Sequence, residues 1–340
     1  MDKIFPSVKK DYNYSPDVFE REYVDNGFSK GWGFHFPTNE EFWIDCHNHL
    51  DNWRTHSDIY KLLDQWFSRL DAYRLGKVLV IAREPASLKV LKDISSQDDR
   101  FDWLIWIDCD KPDISTLEKA LEHGAVGLKL HNKVIMQGLV RPDIWLSDEW
   151  CKVFELVEKS GIPILWHVTQ RVTKSPYHGG GYNPYWSDGQ KRGVTYTNDD
   201  LLQITIKISE MFPKIKIIGA HQHYVSLKRL SEIFDKHENM YIDTSVGCYL
   251  RWADDLHEED RKIYYDFFVK YQDRILFGTD SALKCGGVDE YLVQSFLCHA
   301  RFINKLRLPH EVLQKVAHVN AEKLFGVEPV DYARRGNVRP

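Results

Sequence analysis

The chain has 340 residues, 43% of them apolar and 28% charged, proportions typical of a globular protein that buries a full core. Its formal net charge of −5, with no run of Lys or Arg, argues against nucleic acid as a partner. It lacks a signal-peptide core and any apolar stretch near the roughly 18 residues of a membrane span, and its scattered cysteines form no CxxC pair, so we expect a cytoplasmic protein with reduced thiols.

The N-terminal residues differ from the rest of the chain. Residues 1–40 are rich in Tyr, Asp, Asn, Pro and Gly and show no steady period, which predicts an irregular extension. After them, short β-branched runs alternate with amphipathic runs, the pattern of repeated βα units. We therefore divide the chain into an N-terminal extension (1–40), a single barrel domain (41–326) and a C-terminal tail (327–340).

Eight strands are predicted in the barrel domain, several of them almost entirely apolar, as are strands buried on both faces of a parallel sheet. Helical patterns fill the intervals, with Ser147 and Asp199 at positions expected for helix N-caps. The strands are predicted at residues 42–46, 77–82, 103–107, 125–130, 162–166, 215–220, 240–243 and 274–277. The clearest helices are predicted at 58–73, 150–159, 199–211, 258–271 and 309–324, the last stopped by Gly326.

This succession predicts an α/β fold, a (β/α)₈ TIM barrel, because right-handed crossovers between eight parallel strands bring the last strand beside the first. A doubly wound open sheet is the alternative, but no GxGxxG follows the first strand. One long segment, 168–198, interrupts the alternation after the fifth strand. Its Trp and Tyr content favours an ordered lid or binding loop.

Residues suited to metal binding follow several predicted strands. His47 and His49 follow the first strand and, being two residues apart, are expected to point to the same side. His167 ends the fifth strand and Asp280 the eighth. A lone buried histidine is usually a core residue, but catalytic groups of a barrel gather at the C-terminal ends of its strands. Three imidazoles and a carboxylate suit a divalent ion such as Zn²⁺, with one position left for water.

The other histidines are treated differently. His221 ends the sixth strand and is predicted to stand beside the metal. His299, like the remaining histidines away from strand ends, is interpreted as a surface or loop residue.

The order of these motifs resembles the amidohydrolase superfamily, over residues 43–326. The resemblance is closest to the branch that includes aminocarboxymuconate-semialdehyde decarboxylase, resorcylate decarboxylases and many lactone or amide hydrolases. It rests on DCHNH (45–49), GLKLH (127–131), His167, AH (220–221), GTD (278–280) and NAEKLFG (320–326).

The resemblance implies a metal bound by His47, His49, His167 and Asp280, with His221 polarising substrate or water or joining the metal shell. Lys129 occupies a strand position where some superfamily members carry a carbamylated lysine that bridges two metals. In the branch resembled here the GxKLH pattern usually accompanies one ion, so we expect one divalent metal, Zn²⁺ before Mn²⁺. The habit of the family also suggests a homodimer.

The predicted reaction is hydrolysis, in which metal-activated water attacks a lactone, amide or ester carbonyl. Asp280 moves the proton, and His221 or Lys129 stabilises the oxyanion. The alternative is non-oxidative decarboxylation of an aromatic or muconate-type acid, with Asp280 or His221 delivering a proton to carbon. A non-catalytic binding protein is less favoured, because every expected ligand is present.

Cations and aromatic rings near the predicted rim favour a small, carboxylated cyclic substrate. No nucleic-acid or membrane partner is expected beside it. The predicted substrate-binding residues are His131, Arg83, Arg171, Arg251 and Lys284. The rings predicted to stack on substrate are Trp53, Tyr182, Trp186, Tyr249 and Trp252.

Overall fold

The computed structural model describes residues 42–51, 55–70, 73–83, 87–170, 184–245, 258–284 and 290–328. Several predictions lie outside these residues: the N-terminal extension, most of the C-terminal tail and part of the 168–198 segment. The same holds for Arg171, Arg251, Trp53, Tyr182, Tyr249 and Trp252.

Within these residues, nine parallel strands form one sheet. The strands are β1 (Trp43–Asp51), β2 (Leu75–Ala82), β3 (Phe101–Trp106), β4 (Gly127–His131), β5 (Ile164–His167), β6 (Ile217–Gly219), β7 (Met240–Asp243), β8 (Ile275–Leu276) and β9 (Ser281–Lys284). Strands β1 to β8 pair in chain order, and β9 pairs with the other edge of β1.

The sheet closes on itself through the stretch that holds β8 and β9. β8 pairs with β7, while β9 pairs with β1. Between them, the Cys46 amide donates to the Phe277 carbonyl at 3.0 Å, and the Asp280 amide donates to the His47 carbonyl at 2.8 Å. Asp280 has a left-handed backbone (φ 57°), which divides the stretch into two short strands where one was predicted. The chain is an α/β TIM barrel.

Helices follow the strands and pack on the outside of the sheet. They are α1 (His56–Leu70), α2 (Leu88–Ser95), α3 (Ile114–Glu122), α4 (Lys133–Met136), α5 (Asp148–Ser160), α6 (Pro184–Lys191), α7 (Asn198–Met211), α8 (Leu227–Phe234), α9 (Glu258–Lys270), α10 (Glu290–Lys305), α11 (His310–Gln314) and α12 (Asn320–Phe325). None of the helices within the described ranges is both long and apolar enough to cross a bilayer.

The apolar side chains form two cores, as the alternation of side chains along a strand requires. In β2, Val78 and Val80 belong to the core between sheet and helices, whereas Leu79 and Ile81 fill the barrel interior. The interior core also takes in Phe325 from α12. A packed interior leaves the rim of the barrel as the place for a site.

Three further local predictions differ from the structure. Ser147 is confirmed as an N-cap, since its hydroxyl accepts from the Trp150 amide. Asp199 is not one: Thr197 caps α7 in a capping box with Asp200, because Ser or Thr followed three residues later by an acidic side chain satisfies both amides. His299, predicted at the surface, is fully buried in α10. The third difference is α6, a helix within the segment predicted as a loop.

Candidate metal centre

The imidazoles of β1 meet Asp280 at the C-terminal rim of the barrel. Nε2 of His49 lies 3.1 Å and Nε2 of His47 lies 3.2 Å from the same oxygen, Oδ1 of Asp280. Donor atoms of the three residues all lie within 4.8 Å of one another. Two nitrogens and a carboxylate oxygen that converge in this way are able to share one divalent cation.

A register slip in β1 brings both imidazoles to this side. Ile44 and Cys46 belong to the interior core, so strict alternation would direct Asn48 inward. The pairing with β2 slips between Asp45 and Asn48. Such irregularities re-aim side chains next to active sites. The strand predicted to stop at Cys46 in fact continues to Asp51, with both histidines inside it.

Asp243, at the end of β7, determines which nitrogen of His47 faces the cluster. Its Oδ2 lies 2.6 Å from His47 Nδ1. Burial opposes ionisation, but His47 and the hydrogen bonds of the site lower the pKa of Asp243 to about 2. The ionised carboxylate accepts the Nδ1 hydrogen, so the lone pair is on Nε2, towards Asp280. Carboxylate–histidine pairs of this kind orient metal ligands and raise their basicity.

His221 and His167 extend the cluster across the rim. His221 Nε2 lies 3.1 Å from His167 Nδ1 and 3.9 Å from Asp280 Oδ2. Ser245 Oγ lies 2.9 Å from His221 Nδ1, which holds the other edge of the ring. Burial lowers the pKa of His221 to about 3, so this imidazole is neutral at physiological pH.

His167 supplies the test of whether a metal fits. Its Nε2 is buried and has no hydrogen-bond partner among the described residues. A buried polar atom without a partner is uncommon in folded proteins and often marks a place where an ion or a water binds. The converging donors are those of His47, His49 and Asp280, two nitrogens and an oxygen of the kind that a divalent ion accepts. The residues present therefore fit a metal.

Lys129 of β4 is also part of the cluster. Its Nζ lies 3.0 Å from His47 Nε2, and its side chain is buried. Burial lowers the pKa of Lys129 to about 8, although Asp280 and Asp243 oppose the shift. The amine is therefore able to gain or lose a proton near neutral pH beside the nitrogen that faces Asp280.

A turn of unusual backbone follows β6 and carries His221. His221, Gln222, His223 and Tyr224 all have positive φ, between 49° and 58°. His223 is folded beneath the turn against Gly219, where a Cβ would lie 2.0 Å from its Nε2. Its two ring nitrogens are buried without partners in the described part of the chain. The turn thus separates the two histidines, sending His221 to the cluster and His223 to the interior.

Asp45 joins the two strands that carry the cluster. Its carboxylate accepts from the Thr279 amide at 3.0 Å, the Thr279 hydroxyl at 2.7 Å and the His47 amide at 3.3 Å. Burial raises its pKa to about 7. The three bonds connect the backbone of His47 to that of the residue before Asp280.

The prediction did not include Asp243, Ser245 or a structural role for Asp45. Asp243 had a signal in the sequence, because it ends a predicted strand and strand ends were the criterion for the other site residues. Ser245 and Asp45 had none, since their roles depend on contacts with residues far away in the chain.

Aromatic rings form a wall beside the cluster. His131 stacks on His167 with ring centroids 4.0 Å apart, and Trp106 stacks on His131 at 5.5 Å. The Arg83 guanidinium lies 3.7 Å above the Trp106 ring. Tyr185 meets His131 edge-on at 5.8 Å. His131 and Arg83, both predicted to bind substrate, therefore stand at one wall.

The remaining rim predictions have different outcomes. Lys284 pairs through its backbone with Asp51, and its side chain lies outside what is described. Trp186, predicted to stack on substrate, is instead buried in the core between the sheet and the helices. Its indole N–H donates to Asn198 Oδ1 at 3.2 Å. The N–H of a buried tryptophan usually has a hydrogen-bond partner of this kind.

The sequence of the chain was compared with models of known protein families. A family model described as amidohydrolase matches residues 44–327. No curated protein matches the sequence significantly.

Solved structures share the barrel. An uncharacterised TIM-barrel protein from Bordetella bronchiseptica superposes with a TM-score of 0.58 at 13% identity, over 84% of this chain and 99% of that one. The 2,6-dihydroxybenzoate decarboxylase from Rhizobium gives 0.54 at 16% identity, over 85% and 100%. A protein described as a probable 2-pyrone-4,6-dicarboxylic acid hydrolase from Acinetobacter baumannii gives 0.50 at 12%, over 84% and 100%. At these identities the likeness shows the fold alone.

Proposed function

The chain belongs to the amidohydrolase family of enzymes, and on that premise we propose that it is a metal-dependent hydrolase of a small, carboxylated cyclic lactone, amide or ester. The observation that carries the proposal is the convergence of His47, His49 and Asp280. The buried Nε2 of His167, which has no hydrogen-bond partner among the described residues, is added as a fourth ligand. These four residues are the proposed ligands of one divalent ion. Three nitrogens and one oxygen favour Zn²⁺, and Mn²⁺ is the other candidate.

A divalent ion held here supplies a Lewis acid that polarises a carbonyl oxygen and makes water more acidic. The protein supplies the proton acceptor. Oδ1 of Asp280 faces the β1 imidazoles, while Oδ2 lies towards His221. In this proposal Oδ2 takes the proton of the attacking water and passes it to the leaving group, with the neutral His221 imidazole beside it.

Lys129 is proposed to stabilise the negative charge that develops on the carbonyl oxygen. Its Nζ lies in the cluster and is buried, and a cation in a water-excluded site is worth more than one at the surface. The aromatic wall of Trp106 and His131 borders one side of the site.

Decarboxylation is the second candidate, because the wall of stacked rings suits a planar aromatic acid. In that reaction Asp280 or His221 would return a proton to the ring carbon as CO₂ leaves. Both reactions use the same ligands and differ in product.

A panel of lactones, N-acyl compounds and hydroxybenzoates given to the zinc-loaded protein separates the two. We expect acid release from a lactone, amide or ester that is lost on chelation, restored by Zn²⁺ and abolished in Asp280→Asn. Asp143→Asn, which alters an exposed carboxylate paired with Arg141, is the matched control. CO₂ release without acid release would replace hydrolysis by decarboxylation. Neither product, from a protein without stoichiometric metal, would favour a binding protein.

A further inference from the structure

The helix α6 is held firmly against the rim. Asn198 connects its base to the end of β5, since its Oδ1 accepts from the Trp186 indole at 3.2 Å and its Nδ2 donates to the Gln170 carbonyl at 2.8 Å. Gly189 of α6 packs so closely on α4 that an added Cβ would lie 2.0 Å from the Met136 carbonyl. A helix fixed in this way presents its side chains in defined positions.

Tyr185 is the residue of α6 that faces the site. Its ring meets the edge of His131, which in turn stacks on His167. The Lys133 ammonium lies 5.4 Å from the centre of the Tyr185 ring. The half-buried phenol therefore stands one ring away from a proposed metal ligand.

The phenol hydroxyl is suited to donate a hydrogen bond. Burial and the negative charge of Asp280 raise the pKa of Tyr185, while Arg83 acts in the opposite direction. The hydroxyl is therefore protonated at neutral pH and lies within the electrostatic reach of both charges. Arg83 itself is exposed, and the Trp106 ring lies beneath its guanidinium, a group whose fork of N–H donors matches a carboxylate.

We propose that Tyr185 is a specificity-determining residue, whose O–H binds, together with the Arg83 guanidinium, one anionic group of the substrate at the mouth of the site. The inference rests on the proposed function for the reaction, and it adds the part of the substrate that is recognised away from the reacting carbon. The proposal also assigns a role to α6. This helix places a hydrogen-bond donor, Tyr185, beside the wall formed by Trp106, His131 and Arg83.

The proposal is tested by titration calorimetry, which measures the affinity of the zinc-loaded protein for benzoate and for its neutral isostere benzamide. Hydrogen bonds to charged groups typically change affinity by about tenfold. We expect wild type to prefer benzoate, and Tyr185→Phe to weaken benzoate about five- to tenfold while changing benzamide less than about twofold. The metal is the same in both proteins, so the difference isolates the hydroxyl.

Two further variants keep the test decisive. Tyr196→Phe removes a neighbouring hydroxyl that bonds the Ile135 carbonyl, and it should leave both affinities unchanged. Arg83→Gln alters an exposed side chain and should weaken benzoate in the same direction as Tyr185→Phe. Benzoate affinity unchanged in Tyr185→Phe or in Arg83→Gln, or equal weakening of benzoate and benzamide, overturns the proposal.

Binding is measured without turnover, so the two proposals fail separately. If the protein hydrolyses nothing in the panel but Tyr185→Phe still weakens benzoate selectively, the subsite is supported and the reaction is not. If the protein hydrolyses a substrate of the panel but Tyr185→Phe leaves benzoate affinity unchanged, the reaction is supported and the subsite is not.

Discussion

At the scale of single residues, the polar atoms of the centre are oriented by partners outside the proposed ligand set. Asp243 holds Nδ1 of His47, and Ser245 holds Nδ1 of His221 and also donates to Asp243 Oδ1 at 2.7 Å. Each ring therefore directs Nε2 to the cluster. Because these contacts fix the orientation of the rings before a metal binds, metal binding has a smaller cost in side-chain entropy.

Asp243→Asn tests this orientation. The amide is a weaker acceptor than the carboxylate, so His47 loses basicity and its preferred tautomer. We expect zinc affinity to fall about 10–100-fold, measured by competition with a chelating dye. The exposed Asp143→Asn is the control and should leave the affinity unchanged. An Asp243→Asn protein with wild-type affinity would show that Asp243 does not orient His47 for metal binding.

His223 predicts how stability depends on pH. Burial lowers its pKa to about 4 from an ordinary value of 6.5. Between these values the unfolded chain binds the proton and the folded chain does not, so the stabilisation present above pH 6.5 is lost as the pH falls towards 4. The shift of 2.5 pKa units corresponds to roughly 3 kcal/mol.

His223→Leu removes the titrating group at a site where both ring nitrogens lack partners within the described chain. Between pH 7.5 and pH 4 the variant should lose roughly 3 kcal/mol less unfolding free energy than wild type. Urea unfolding of chelator-treated protein at both pH values measures this. Parallel pH profiles for the two proteins would contradict the role assigned to His223.

At the scale of elements, the convergence of His47, His49 and Asp280 was predictable and its local geometry was not. These residues follow strands that hydrophobic runs in the sequence predict. The slip between Asp45 and Asn48 depends on pairing with β2, so no periodicity within β1 indicates it. The left-handed turn after β6 is similar, because its strain is balanced by contacts made across the barrel.

Gly219 is required by that turn. An added Cβ would lie 2.0 Å from His223 Nε2, so Gly219→Ala should cost about 1–3 kcal/mol of stability and displace His221. The double variant Gly219→Ala/His223→Ala removes the clashing ring. We expect its loss to be smaller than the sum of the two single losses, measured by urea unfolding. Additive losses would show that the two residues do not compete for space.

At the scale of the molecule, the two ends of the barrel have different tasks. Lys77 and Asp102, near the starts of β2 and β3, form an ion pair at 2.6 Å with Lys77 buried. This end of the barrel lies opposite the metal centre. In TIM barrels the residues at this end serve stability.

Breaking the pair should therefore change stability and not the site. Lys77→Met leaves the Asp102 carboxylate, whose pKa burial already raises, without its cation, and should cost about 3 kcal/mol in urea unfolding. Lys77→Met/Asp102→Leu should recover most of the loss. Zinc affinity should stay at the wild-type value in both. A drop in affinity that follows the loss of stability would contradict the division between the two ends.

The barrel itself was predictable because its signals are local: apolar runs, helix caps and the order of strand ends. The helix α6 was not, since a segment with few apolar repeats becomes helical only by packing on α4. For the same reason the sequence pointed to Trp186, the buried anchor, where the structure presents its neighbour Tyr185 to the site.

The central claim is that one divalent ion is held by residues from β1, β5 and the turn after β8. Anomalous diffraction from crystals of the zinc-loaded protein tests it most directly. We expect a single peak about 2.0–2.2 Å from Nε2 of His47 and His49, a nitrogen of His167 and a carboxylate oxygen of Asp280. No peak at this rim, or a peak held by other residues, would contradict the claim.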